Sequence, residues 1–243
     1  MTPLAGTLVL PTMLVLLGGA PTDAQLDQLL KGLPQIPGVQ TGGLGDAKIG
    51  AALKQALEVG TSHAVQLTGR TDGYFANQAI KILMPESLRS FERGLRAVGY
   101  GHQMDELVLG MSRAAERAAP SGKRIFLDAI GDMSFDDVNR IFRGENTAAT
   151  DYFKTKTSDK LTAAFRPAVD TSMGEVGVTQ QYRELLGRAQ AIPFLKLDSY
   201  DLDGYVVGKA LDGLFPVVAD EERKIRTNPA ARTTDLLREV FAK

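Results

Sequence analysis

From Asp46 onward, the apolar residues of this 243-residue chain recur at intervals of three and four. With about 3.6 residues per helical turn, that spacing gathers them on one face, and a face of that kind is buried against other helices. Ile49, Ala52, Leu53, Ala56 and Leu57 make the first stripe. Leu88, Phe91, Leu95 and Val98 make the second, and Met104, Leu107, Val108, Met111 and Ala115 the third. The only strand-like alternation is residues 79–84, too isolated to found a sheet. The pattern predicts an all-α fold, one multi-helix bundle with no substantial β-sheet.

Helix-breaking and helix-capping residues divide these stripes. Gly69 and Gly73 mark one break, Pro85 suits a first helical turn, and Gly99 and Pro120 stop two more helices. Ser134 with Asp137 has capping-box spacing, and Gly144 closes the short helix that follows. Residues 147–173 read as helical with a break at Ser158 and a kink at Pro167, and Thr179 caps the next segment. Asp201 opens a long helix whose apolar positions cover a wide arc, which marks it as the centre of the bundle, about residues 201–226. Pro216 should bend it. Asn228-Pro229 then reads as the start of a last helix that buries Leu236, Leu237, Val240 and Phe241.

Three regions follow. Residues 46–243 are expected to form one helical domain. Residues 25–45 form a short helix and a linker, since 32–45 hold two prolines and five glycines. Residues 1–24 have the order of a signal peptide: an apolar run over 8–17, then Gly18, Gly19 and Ala20, with Asp23 the first charge. The n-region carries no Lys or Arg and Pro11 interrupts the run, so the signal is atypical. A membrane span needs about 20 apolar residues in line, and Pro3, Pro11 and Pro21 prevent that here. The expected location is periplasmic or otherwise exported.

Composition excludes several chemistries. With no cysteine there is no disulfide, thiolate metal site or Cys nucleophile. A formal charge of −1 gives no positive field for nucleic acid. His63 and His102 lie far apart and read as surface or capping residues without an i, i+4 ligand partner, so no metal is expected. Ser199 to Gly204 imitates part of a calcium loop, but Ala210 stands where a bidentate Glu is required. Gly42 to Gly45 lacks the Lys of a phosphate loop. No cofactor is indicated.

Two polar constellations are left as candidate binding residues. Arg113 and Glu116 are three apart on one helix face, and Asp128 on the following helix is placed to meet them. They form either a polar patch at the mouth of a helical pocket or a surface ion pair contributing a few tenths of a kcal/mol. Arg232 and Asp235, with Arg226 nearby, crowd a joint between two helices, where they either lock the fold or bind a partner.

The stretches 52–60, 112–120, 125–130, 148–153, 176–179, 209–215 and 230–237 together resemble the bacterial domain of unknown function 4197 family. The resemblance covers about Asp46 to Phe241. It implies an all-helical domain, usually with an export signal, in Gram-negative bacteria, and it brings no assigned catalytic residues. Small residues on the stripes leave room between helices, so the expected function is binding of an unidentified small, amphipathic or lipid-like ligand. The alternatives are a self-associating envelope scaffold, with oligomers formed through Tyr- and Phe-bearing helices, and a carboxylate enzyme built on Glu116 or Asp128.

Overall fold

The computed structural model describes residues 42–175, 177–189, 200–232, 234 and 238. The chain divides into two units, Met1–Gly42 and Gly43–Lys243, and the described residues belong almost wholly to the second. They are α1 (Gly42–Gly69), α2 (Arg89–Ala97), α3 (Gly101–Ala118), α4 (Gly122–Gly131), α5 (Phe135–Arg143), α6 (Ala148–Glu175), α7 (Val178–Ala189) and α8 (Leu202–Thr227). Short 3-10 turns join them at Glu86–Leu88, Ala119–Ser121 and Pro229–Ala231. There is no strand among the described residues, and the fold is all-α.

Local chemistry sets several boundaries. At α5 the capping box closes in full: Asp137 N–H donates to Ser134 Oγ at 3.1 Å, and Ser134 N–H donates to Asp137 Oδ2 at 3.1 Å. Asp201 caps α8, accepting from Gly204 N–H at 2.8 Å. Gly99, at φ 96°, turns the chain between α2 and α3 where a side chain would be strained.

The structure departs from expectation in five places, one of them at α7, which begins at Val178 and so holds Thr179 within its first turn and not at its cap. α1 begins at Gly42, so residues 42–45 are helical and not linker; a first turn asks little of glycine, because its N–H groups have no intrahelical partner in any case. α6 runs unbroken past Ser158, whose hydroxyl donates to Lys154 C=O at 2.6 Å and so needs no break in the helix. Val98 is exposed, because α2 ends at Ala97 and the stripe ends with it. The centre of the bundle is shared: α6 packs against α3, α4, α5, α7 and α8, whereas α8 packs chiefly on α6 and α3.

Leu211, Leu214 and Phe215 of α8 are buried as expected. Phe126 of α4 meets Phe153 of α6 edge-on at 5.2 Å between centroids, and Phe215 of α8 at 6.4 Å. Such contacts contribute about 1 kcal/mol each beyond area burial. Residues 79–84 keep their alternation without a strand partner: Ile80, Ile82 and Met84 are buried and Leu83 is exposed. This non-helical segment therefore behaves as an edge of the core. Residues 190–199, including Ser199, lie outside the described part, as do Leu236, Leu237, Val240 and Phe241.

Candidate functional site

Glu116 sits on the inner face of α3, in the row Val108–Ser112–Glu116, and is buried. Its Oε1 accepts the N–H groups of Tyr74 and Phe75, both at 3.1 Å. Arg113 Nη1 donates to Oε2 at 2.7 Å, and Arg113 Nη2 reaches Asp72 Oδ1 at 2.7 Å. The expected Arg113–Glu116 pair is thus present, but it fastens a turn. That turn is a tight one. Asp72 has φ 65°, and a Cβ at Gly73 would collide with the Leu67 carbonyl oxygen. Tyr74 is fully buried and donates its hydroxyl to Ala210 C=O on α8 at 2.6 Å. Burial, and then the Glu116 charge, push the phenol far above its ordinary pKa, so Tyr74 stays neutral. The hydrogen bond to Glu116 raises the Arg113 pKa against the opposing effect of burial.

A cavity of about 500 Å³ opens beside this pair, with Thr71, Glu106, Arg113, Arg117 and Gln181 on its walls. Asp128 does not join it. Its carboxylate is exposed and accepts from Arg124 Nε, one turn earlier on α4, at 2.8 Å. The helical phase of α4 turns Asp128 outward while Phe126, Ala129 and Ile130 go in. His102 does have an i, i+4 partner, contrary to the sequence reading: Nε2 lies 3.3 Å from Glu106 Oε1, on the surface.

Arg232 is buried and caps the end of α8. It donates from Nε to Ile225 C=O at 3.2 Å and from Nη2 to Arg226 C=O at 3.0 Å. These carbonyls have no helical N–H to meet, and a guanidinium suits the negative end of the dipole. The fold-locking reading therefore accounts for Arg232, while Asp235 lies outside the described residues.

The sequence reading did not find the partners of Glu221 and Glu222, in the last turns of α8. Val218, Glu221, Glu222 and Ile225 continue its buried face. Glu222 accepts Ala149 N–H at 3.0 Å, Thr150 N–H at 2.9 Å and the Thr150 hydroxyl at 2.9 Å, so it caps α6 from a distance. Arg226 holds Glu222 Oε1 through Nε and Nη2, and Nη2 also donates to Ile141 C=O. Glu221 accepts from His63 Nδ1 at 2.6 Å and from Lys224 Nζ at 2.7 Å.

That last pair borders a groove of about 720 Å³ between α1 and α8. Val59, Leu127 and Ile225 give it an apolar wall; Glu58, His63 and Lys224 give it a polar edge. Gly60 lets α8 lie close to α1 at the groove, since a Cβ there would press on Ile225 Cδ1 at 3.3 Å. Among the described residues there is no cluster of three His, Asp or Glu that could hold a metal ion.

The sequence profile of the family described as "Protein of unknown function (DUF4197)" matches residues 43–242, well over half of the 243-residue chain. The chain belongs to the DUF4197 family. No curated protein and no solved structure matches it. In this DUF4197 member, the residues brought together at a cavity are Arg113 and Glu116 in one place and His63, Glu221 and Lys224 in another. No helix of the described residues is long and apolar enough to cross a membrane.

Proposed function

We propose that this DUF4197 protein is an exported bacterial binding protein whose groove between α1 and α8 takes a small amphipathic molecule. The observation that carries the reading is the division of that groove into an apolar wall, Val59, Leu127 and Ile225, and a polar edge around the buried Glu221. A pocket with an apolar body and a few convergent polar groups is the usual form of a small-ligand site. The carboxylate-enzyme reading has no comparable support: Glu116 spends its oxygens on Tyr74, Phe75 and Arg113, and Asp128 stands in solvent beside Arg124.

Fluorescence titration with N-phenyl-1-naphthylamine tests the groove. Saturable enhancement is expected, and Val59→Trp, which fills the apolar wall, should abolish it while leaving the helical circular dichroism intact. No saturable binding, together with nothing recovered by organic extraction and mass spectrometry, would overturn the reading. Export rests on the order of residues 1–24. Osmotic-shock fractionation and N-terminal sequencing of the mature protein test it, with cleavage after Ala24 expected.

A further inference from the structure

We infer that the α1–α8 groove selects a ligand whose head group donates hydrogen bonds and carries no negative charge, a primary amine or a hydroxyl on an aliphatic body. The inference rests on the groove being the binding site. Its first support is the orientation of His63. With Nδ1 held against Glu221 Oε2 at 2.6 Å, a neutral imidazole donates from Nδ1 and keeps its acceptor lone pair on Nε2. Among the described residues Nε2 has no hydrogen-bond partner, and the side chain is half exposed on the groove. A carboxylate thus fixes which nitrogen faces the ligand, and in the neutral ring that nitrogen is an acceptor.

The second support is charge. Among the described residues Lys224 is the one lysine or arginine on the groove wall, and its Nζ is 2.7 Å from Glu221 Oε1. Its charge is therefore offset by Glu221 before any ligand arrives. Glu58, exposed on the same edge, has no ion-pair partner among the described residues. Among the described residues of the wall, Glu58 and Glu221 are two carboxylates beside the one ammonium of Lys224. A carboxylate or phosphate head would meet this residual negative charge and the Nε2 lone pair together, whereas an amine or hydroxyl satisfies both. The third support is position: Val59, Ser62, His63 and Gln66 share one face of α1 at spacings of three and four. The polar head site thus sits one turn from the apolar wall, a separation suited to a molecule with one polar end.

Competition against bound N-phenyl-1-naphthylamine tests this, using decylamine, 1-decanol and decanoate as probes of equal chain length. Decylamine and 1-decanol are expected to displace the dye at least about tenfold more tightly than decanoate. His63→Leu removes the acceptor without emptying the groove. It should weaken both favoured probes about tenfold relative to decanoate, each competed against the variant's own dye affinity. Glu58→Gln should weaken decylamine alone. Dye binding with decanoate equal to or better than decylamine, or with an order that His63→Leu leaves intact, overturns the head-group inference and spares the groove. A dye that does not bind, with no probe binding by calorimetry, overturns both.

Discussion

Glu116 and Glu222 are both buried carboxylates that accept backbone N–H groups from a distant segment, and each has an arginine on its own helix. Their clients differ. Glu116 holds Tyr74 and Phe75 in a non-helical turn, and its Arg113 also grips Asp72 in that turn. Glu222 holds Ala149 and Thr150, the first turn of α6, and its Arg226 also grips Ile141 at the end of α5. The arginine side chains differ as well, 28% exposed for Arg113 and 12% for Arg226. One clamp fastens a loop at the rim of a cavity; the other splices three helices inside the core. A buried charge is tolerated in both because every carboxylate oxygen finds donors.

Glu222→Ala should show the larger loss. It strands the N–H groups that open α6 and leaves a nearly buried guanidinium without its carboxylate, so about 4 kcal/mol of unfolding free energy should disappear in urea titrations. A loss below about 1 kcal/mol would mean water replaces Glu222 and the splice is superficial. Glu116→Ala should cost about 2 to 3 kcal/mol, since Arg113 keeps Asp72 and some solvent. Hydrogen exchange should then quicken over residues 70–77 and stay slow in α6, the reverse of the pattern for Glu222→Ala.

Tyr74→Phe sharpens the comparison on the loop side alone. Losing the hydrogen bond to Ala210 should remove about 1 kcal/mol. It should also relieve alkaline unfolding: the native phenol titrates above its unfolded value of 10.0, so the wild type loses stability as pH rises past that value. The smallest effect belongs to the exposed α5 cap, where Ser134→Ala should cost about 0.5 kcal/mol. The side-chain hydrogen bond from Ser134 holds the Asp137 pKa below its ordinary 3.8. That contribution is complete at neutral pH and fades as pH falls from 3.8 through the lowered value, so the stability difference between wild type and variant should narrow in acid titration below pH 3.8.

The helices were legible because their evidence is local. Stripe spacing, the Ser134–Asp137 box and the Asp201 cap each lie within one or two turns of sequence. Even the clamps left a trace. Glu221 and Glu222 stand between Val218 and Ile225 on a face that is otherwise apolar, and Glu116 follows Val108 and Ser112 at intervals of four. A carboxylate on a core face must have donors. What spacing alone could not supply is which donors: Glu116 meets amides 42 and 41 residues away, and Glu222 amides 73 and 72 away. The same limit explains Asp128, whose neighbourhood in sequence suggested a meeting with Glu116 that the phase of α4 forbids. His63 and Glu221 are 158 residues apart, and no local rule could have joined them.

Gly213 leaves a notch in α8. A Cβ there would stand 2.6 Å from Tyr74 Cε1 and 3.0 Å from Ile80 Cβ, so the ring of Tyr74 occupies the space that any other residue would claim. Tyrosine at 74 and glycine at 213 are in that sense a single inherited character. Relatives that replace the ring with something smaller should be free to fill the notch, and relatives that keep the ring should never do so.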